Sequence, residues 1–279
     1  MFRQKIGLAL GGGGPKGLAH IGVIKTLEKY KIPIDYIAGT SAGSLVGGFY
    51  ALNKDIASIE KYVMDKNWLQ ILSYFADPTF QSGIFQGNRL EGFLDGYLHN
   101  AKIEDTKIPF AAVATDLRTA KKVELKTGSL TKAIRASCAM PVVFKPVEIG
   151  KYLLTDGAVL SPVPVETVKK MGADIVIAVQ LYNDMEENSQ IGKANFVQVA
   201  EESFSIMARR IANDEVKKAD ILIYPDVSKM EWRSLLKQDA KIDGIQCGIE
   251  IMEKHIGHLN LLMKKNSLQR FFQRILGGN

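Results

Sequence analysis

Short apolar runs and stretches of helical periodicity alternate over the first fifty residues of the chain. The run Lys5–Leu10 is typical of a buried strand, and apolar positions at helical spacing then predict a helix from about Lys16 to Tyr30. A second apolar run at Tyr36–Gly39 leads into another helical stretch over Ser41–Leu52. This order of strand, helix, strand and helix predicts a parallel sheet covered by helices.

The pattern changes between Asp55 and Asn100, where large apolar residues recur at helical spacing without a strand-like run. We interpret residues 55–100 as a helical insertion between sheet strands, placed to act as a lid or as the wall of a substrate groove. Strands are predicted again at Phe110–Asp116, Val123–Leu125, Val147–Leu154, Asp174–Val179 and Ile221–Tyr224. A helix over about Phe196–Val216 and a helical tail complete an α/β chain that needs only one domain.

Composition agrees with a globular α/β protein, because 46% of the residues are hydrophobic and 24% are charged. The net charge of +6 is too small to indicate nucleic acid or anionic lipid as a partner. The two cysteines, Cys138 and Cys247, match neither a zinc-binding spacing nor a disulfide framework. No signal peptide and no apolar stretch of about 20 residues is recognised, so a cytoplasmic protein is expected.

A glycine-rich loop, Gly11–Gly17, separates the first strand from the first helix and contains the pattern G-x-G-x-x-G. Glycines allow a sharp turn and expose backbone N–H groups beside a helix N terminus, which together favour an anion. In a dinucleotide-binding fold the same loop holds a pyrophosphate, and an acidic residue ends the second strand. Here Asp35 precedes that strand, and no G-K-[ST] follows the loop, so the pattern alone does not identify the anion.

A second glycine-flanked turn, G-x-S-x-G over Gly39–Gly43, also stands between a strand and a helix. A nucleophile elbow requires this context, since its serine sits on a strained turn and small neighbours prevent clashes. The helix that begins at Ser41 points its positive end at the site and favours negative charge on a developing oxyanion. Because the first two strands are natural neighbours, both glycine turns should open at the same edge of the sheet.

A serine nucleophile needs a base, and the strand-like segment that ends in Asp156–Ala158 offers a carboxylate for that role. Taken alone, an Asp-Gly turn more often indicates an aspartate that caps its own backbone. The competing bases are the histidines His20, His99, His255 and His258. All four fall within or at the end of helical segments, whereas a triad histidine is expected on a loop after a strand.

These three motifs, in this order, resemble the patatin-like phospholipase family, which has a glycine-rich oxyanion loop, then G-x-S-x-G, then D-G-[AG]. The resemblance spans about residues 6–170 and extends to two further stretches, Ala114–Leu117 and Ala136–Phe144. It implies a patatin-like three-layer α/β/α sandwich with a mainly parallel central sheet. Residues 6–170 would form the catalytic core with its helical insertion, and residues 171–279 would complete the same domain and add the tail.

The resemblance also implies roles for individual residues. Ser41 would be the nucleophile, Asp156 its base, and the backbone amides of Gly12, Gly13 and Gly14 the oxyanion hole. The other positions that match the motifs are Lys16, Gly17, Gly39, Gly43, Gly157 and Ala158. The family more often has arginine where this chain has Lys16, which keeps the charge but lacks the planar fork. No metal and no cofactor are implied.

The implied activity is that of a serine lipid acyl hydrolase, a phospholipase, lysophospholipase or carboxylesterase that cleaves fatty-acyl esters through an acyl-enzyme intermediate. Its partner would be a lipid or ester substrate and not nucleic acid. The tail Ser267–Leu276 places Leu268, Phe271, Phe272 and Ile275 on one helical face. Such a helix could lie peripherally in the headgroup layer of the inner membrane face, dock on the domain, or pair with a second subunit in a homodimer.

Other interpretations stay open on the sequence alone. An α/β-hydrolase would combine Ser41 with an aspartate and with His255 or His258, although that fold places its elbow after more strands. An acyl transferase of the malonyl transacylase kind has a similar fold and would also need a histidine. A dinucleotide-binding module would use Gly11–Gly17, and a regulatory or scaffolding protein would keep the fold with an idle site.

Overall fold

The computed structural model describes residues 3–65, 77–78, 83–182, 195–231 and 237–276, the last range with side chains up to residue 264. The strands are β1 (Ile6–Leu10), β2 (Tyr36–Thr40), β3 (Phe110–Asp116), β4 (Lys121–Leu125), β5 (Val147–Ile149), β6 (Tyr152–Asp156), β7 (Ile175–Val179) and β8 (Ile221–Ile223). The helices are α1 (Leu18–Lys29), α2 (Ala42–Asn53), α3 (Ile56–Asp65), α4 (Asn88–Leu98), α5 (Leu130–Ser137), α6 (Val165–Met171), α7 (Phe196–Glu215) and α8 (Gln238–Leu276).

One sheet runs through the described residues in the strand order β5-β6-β3-β2-β1-β7-β8, and β4 also pairs with β3. Neighbours among β3, β2, β1, β7 and β8 are parallel, whereas β4, β5 and β6 take part in antiparallel pairs. The carboxyl ends of the parallel strands therefore lie at one edge of the sheet, where ligands bind in open α/β folds. The predicted, mainly parallel sheet is confirmed.

Alternating side chains along the strands separate two buried cores, one on each face of the sheet. In β1, Ile6, Leu8 and Leu10 join the core that includes residues of α1, α2 and α8, whereas Ala9 joins the core that includes residues of α6 and α7. Burial on both faces explains why the strand reads as one continuous apolar run. Helices cover both faces, which confirms the expected three-layer α/β/α sandwich.

The long last helix, α8, packs on α1 through a close approach at two glycines. A β-carbon on Gly22 would overlap the carbonyl oxygen of Ile245, and one on Gly248 would overlap the carbonyl oxygen of Ala19. Further along α8, by contrast, Gly257 has open space around it. The backbones of the two helices are therefore in contact, and larger residues at positions 22 or 248 would force them apart.

Most elements follow the hydrophobic pattern, and the clearest difference falls at the predicted strand Val147–Leu154. This segment is a hairpin, because Gly150 turns the chain at a φ of 58° between β5 and β6. Of the predicted helical insertion over residues 55–100, α3 and α4 are present, and residues 66–76 and 79–82 lie outside the described ranges. No helix within the described residues combines the length and apolarity needed to span a bilayer.

Candidate active site

Ser41 occupies the sharp turn between β2 and α2. Its backbone has a φ of 52° and a ψ of −122°, a strained conformation for a residue other than glycine and one typical of a nucleophile elbow. A β-carbon on Gly39 would overlap the backbone of Gly43, and one on Gly43 would overlap the carbonyl of Leu10. Glycine is therefore required at positions 39 and 43, because β1, β2 and α2 are in contact at this turn.

Ser41 and Asp156 come together because β2 and β6 use the same edge of β3. Strand β4 pairs with the carboxyl-terminal half of β3, so β2 and β6 must both pair with the opposite edge. The two strands run towards each other along that edge, with Thr40 opposite Val113 and Asp156 opposite Ala114. Residues that are distant in the chain thus meet where the two strands end.

The Asp156 side chain is buried beside Ser41, with 1% of the residue exposed. Burial raises the pKa of Asp156 to about 7, and a hydrogen bond from the Ala158 N–H and, to a smaller degree, the Ser41 hydroxyl oppose that rise. The Ala158 N–H donates to Oδ1 at 2.8 Å, so Asp156 also caps its own turn. Asp156 is therefore a carboxyl with a near-neutral pKa, held by the D-G-A turn.

Ser137, at the end of α5, holds the backbone of the elbow. Its hydroxyl accepts the Ser41 N–H at 2.9 Å and donates to the Val113 carbonyl at 2.6 Å. The elbow is thereby tied to β3 at the level where β2 ends. The resemblance includes Ser137 in the stretch Ala136–Phe144 but gives it no role, because the contact is with a residue far away in the chain.

The first glycine loop lies beside Ser41. Gly13 and Gly14 have φ values of 154° and 55°, which favour glycine. The Gly12 N–H donates to the Pro162 carbonyl at 3.0 Å, whereas the N–H groups of Gly13 and Gly14 have no backbone partner among the described residues. The structure therefore differs from the prediction at Gly12, whose N–H is already occupied, and leaves Gly13 and Gly14 as the candidate oxyanion donors.

His20 fixes the start of this loop. Its Nε2 bonds the Gly11 carbonyl at 2.7 Å, and burial lowers its pKa to about 4, so the ring is neutral near pH 7. His255 instead bonds a carbonyl of its own helix at 2.8 Å. Hydrogen bonds of the described residues join no histidine to Ser41 or to Asp156. The Ser–His–Asp interpretation is thus left without a contact.

Asp35 lies at the opposite end of β1 from the glycine loop. Its carboxylate accepts the N–H of Ile6 at 2.8 Å and pairs with Arg3 at 2.5 Å. A ribose bound at the glycine loop would need its acidic partner at the carboxyl end of β2, which Asp35 precedes. The dinucleotide interpretation therefore lacks the residue that would bind the ribose.

Tyr182 belongs to the site although no motif includes it. A β-carbon added to Gly12 would lie 2.8 Å from the Tyr182 hydroxyl and 3.3 Å from the β-carbon of Ser41, so the phenol lies near Ser41. Burial, followed by the charges of Asp156 and Glu215, raises the pKa of Tyr182 well above its ordinary value, and the hydroxyl stays protonated. The one signal in the sequence was its place just after β7, at the carboxyl edge of the sheet.

The remaining motif positions allow close packing around the two turns. A β-carbon on Gly17 would lie 2.7 Å from that of Ala42, and one on Gly157 would overlap the backbone of β3. Lys16 is half-buried, and burial lowers its pKa while Glu202 of α7 acts in the opposite direction. No group of three or more His, Cys, Asp or Glu side chains placed to hold a metal ion occurs among the described residues.

Comparison with known proteins points to the same family as the motifs. The model of the family described as patatin-like phospholipase matches residues 8–169, more than half of the chain. An uncharacterized NTE family protein of Mycobacterium bovis is 38% identical over 180 residues, which cover 63% of this chain and 49% of the relative. Lysophospholipase NTE1 of Debaryomyces hansenii is 33% identical over 195 residues, which cover 65% of this chain and 12% of the relative. The chain thus spans half or less of these relatives.

The chain is also similar in fold to a solved structure over most of its length. VipD from Legionella pneumophila matches with a TM-score of 0.50 and 15% identity, over 91% of this chain and 67% of VipD. An identity this low shows a likeness of fold alone. The match therefore bears on the α/β/α sandwich and not on the reaction.

Proposed function

The chain belongs to the patatin-like phospholipase family, and on that premise we propose that it hydrolyses fatty-acyl esters with Ser41 as nucleophile and Asp156 as base. The observation that carries this proposal is the meeting of the two residues where β2 and β6 end on one edge of β3. The reaction is the hydrolysis of a carboxylic ester, and it needs neither a metal nor a cofactor.

In the first half of the reaction, Asp156 takes the proton of the Ser41 hydroxyl as the serine oxygen attacks the ester carbonyl. The N–H groups of Gly13 and Gly14 would stabilise the oxyanion, each contributing about 3–4 kcal/mol in enzymes of this kind. The N terminus of α2 adds the positive end of its dipole. The alcohol then leaves with the proton from Asp156, and the acyl group stays on Ser41.

In the second half, water attacks the acyl-serine ester while Asp156 accepts a proton from that water. Collapse of the oxyanion breaks the bond to Ser41, whose oxygen takes the proton back from Asp156, and the fatty acid is released. A carboxyl with an ordinary pKa of about 3.9 would be a weak base at neutral pH. Burial raises the pKa of Asp156 to about 7, which suits both steps.

For the substrate, we propose a phospholipid or lysophospholipid. The relative from Debaryomyces hansenii is named a lysophospholipase, and this supports testing such lipids first. Turnover of a lysophospholipid, a diacyl phospholipid and a p-nitrophenyl ester with the same acyl chain would rank the three classes. Preference for either phospholipid supports the proposal, whereas turnover of the p-nitrophenyl ester alone would indicate a simple carboxylesterase.

Labelling with a fluorophosphonate, followed by peptide mapping, tests the nucleophile. We expect the adduct on Ser41 and no adduct on Ser41→Ala. Ser44→Ala is the matched control, because the Ser44 hydroxyl lies one helical turn away and donates to the Ser41 carbonyl at 2.7 Å. The control should keep the adduct on Ser41. An adduct on another serine, or ester hydrolysis that survives in Ser41→Ala, would refute the assignment.

A further inference from the structure

The short segment Ser161–Val163 is bonded to all three motifs of the site. The Ser161 carbonyl accepts a hydrogen bond from the hydroxyl of Thr40 at 2.8 Å, and the Pro162 carbonyl accepts one from the N–H of Gly12 at 3.0 Å. The first N–H of the segment donates to the carbonyl of Gly157 at 2.8 Å. This segment thus connects the end of β2, the glycine loop and the D-G-A turn.

Glu215, the last residue of α7, accepts hydrogen bonds from this segment with both carboxylate oxygens. Oε1 accepts the hydroxyl of Ser161 at 2.5 Å, and Oε2 accepts the N–H of Val163 at 2.8 Å. Burial raises the pKa of Glu215 to about 7, and these two hydrogen bonds act in the opposite direction by stabilising the carboxylate. The carboxylate is therefore stabilised by the same two groups that it holds.

Charged residues lie near Glu215, but its hydrogen bonds to Ser161 and Val163 are not replaced by ion pairs with them. Lys122 on β4 lowers the pKa of Glu215 and Glu166 on α6 raises it, whereas Lys218 makes its own ion pair with Glu166. The charge of Glu215 also contributes to the raised pKa of the Tyr182 phenol. None of the ion pairs among the described residues includes Glu215. Within the described ranges, the hydrogen bonds of its side chain are those with the segment Ser161–Val163.

We propose that Glu215 is a positioning residue that fixes Ser161–Val163 and, through that segment, the glycine loop beside Ser41. The bond from Gly12 to Pro162 anchors the loop immediately before Gly13 and Gly14, so a displaced segment would misplace both candidate oxyanion donors. The effect on reaction rate rests on the proposed function, whereas the effect on the loop follows from the hydrogen bonds alone. Helix α7, which lies outside every motif, thereby controls the geometry of the site.

Three variants and a control test this role. Glu215→Ala removes both hydrogen bonds, and Glu215→Gln keeps an acceptor for the Val163 N–H together with a donor for the Ser161 oxygen. Ser161→Ala removes only the hydroxyl contact and is the milder substitution if Glu215→Ala fails to fold. The control is Asp214→Asn, since Asp214 is the preceding residue of α7, is about half exposed and pairs with Arg210 and Lys217 on the surface.

Hydrogen exchange at the Gly12 N–H reads out the loop, and the rate of fluorophosphonate labelling reads out Ser41. In Glu215→Ala we expect exchange at Gly12 to accelerate at least about tenfold and labelling to slow by a similar factor, since one lost buried hydrogen bond corresponds to about that change. Ser161→Ala should shift both rates in the same direction by less. Glu215→Gln should restore both rates to within about threefold of the unmodified chain, and Asp214→Asn should leave them unchanged.

Unchanged exchange at Gly12 in both Glu215→Ala and Ser161→Ala would overturn the inference, whatever the labelling rates. So would a Glu215→Gln variant as impaired as Glu215→Ala, because a charge and not the hydrogen bonds would then be responsible. Failure of the proposed function has a different signature, in which the unmodified chain takes no label at Ser41. The exchange measurement still decides the role of Glu215 in that case.

Discussion

At the scale of single residues, the site combines a strained backbone with a buried acid, and neighbouring groups offset both costs. Ser41 adopts a left-handed φ because Gly39 and Gly43 leave room and because Ser137 bonds its N–H. Asp156 loses water on burial, and its own turn together with the Ser41 hydroxyl stabilises the carboxylate. The motifs singled out Ser41 and Asp156, the proposed nucleophile and base. They did not identify Ser137 or Tyr182, whose roles depend on contacts far along the chain.

Replacing Ser137 by alanine should weaken both stability and catalysis. The substitution leaves the Ser41 N–H and the Val113 carbonyl without their buried partner, which costs about 1–3 kcal/mol in the free energy of unfolding. Ser203→Ala is the control, because its hydroxyl also bonds a backbone carbonyl, at 2.8 Å, but on an exposed helix face. Urea titration measures both variants, and equal small losses would show that Ser137 does not support the elbow.

Asp156→Asn should change the pH dependence of stability in a definite direction. In the folded chain the pKa of Asp156 is about 7, raised from 3.8. Protonation of Asp156 therefore stabilises the fold fully below the unfolded pKa, and this stabilisation is lost as the pH rises through 7. Relative to the variant, the free energy of unfolding of the unmodified chain should therefore fall by roughly 4 kcal/mol between pH 4 and pH 8. Urea titrations at the two pH values measure this, and a pH-independent difference would contradict the raised pKa.

At the scale of elements, the sequence predicted the existence of strands and helices better than their partners. The buried run at β3 was predicted with its observed bounds, because its apolar residues begin after Pro109 and give way to Thr115 and Asp116. The hairpin of β5 and β6 was missed, since Gly150 interrupts a run of similar apolar pattern. The end-to-end meeting of β2 and β6 was also beyond local pattern, because it depends on pairing between distant strands.

The packing of α1 on α8 gives a prediction with an internal control. Gly22→Ala should destabilise the chain by about 1–3 kcal/mol, since the added β-carbon would overlap the Ile245 carbonyl. Gly257→Ala, in open space on α8, should stabilise it by about 0.5–1 kcal/mol through the higher helix propensity of alanine. Thermal unfolding measures both variants, and their changes in stability should have opposite signs. A neutral Gly22→Ala would mean that the two helices do not touch as described.

At the scale of the whole molecule, the three-layer sandwich followed from the order of elements and from the family resemblance. The placement of the two glycine turns at one edge of the sheet was predictable, because β1 and β2 are parallel neighbours. The completion of the site was not, because Pro162 occupies the Gly12 N–H, Tyr182 approaches the glycine loop, and Glu215 reaches back from α7. These contacts join segments that no local pattern relates.

Membrane contact through the tail is a prediction for the molecule as a whole. The backbone of α8 extends to Leu276, and the side chains of Ser267–Leu276 lie outside the described residues. Removing residues 267–279 should weaken sedimentation with phospholipid vesicles, because the apolar face of the tail would be lost. Hydrolysis of a water-soluble ester should persist. Unchanged vesicle binding after the deletion would contradict this use of the tail.

The rate at which a fluorophosphonate modifies Ser41, measured against pH, tests the dyad most directly. The account predicts a rate that rises with pH through an apparent pKa of about 7, the value to which burial brings Asp156. In Asp156→Asn the rate should fall by about 100-fold or more and lose that rise, because the base is gone. Labelling of Asp156→Asn at the rate and with the pH profile of the unmodified chain would contradict it.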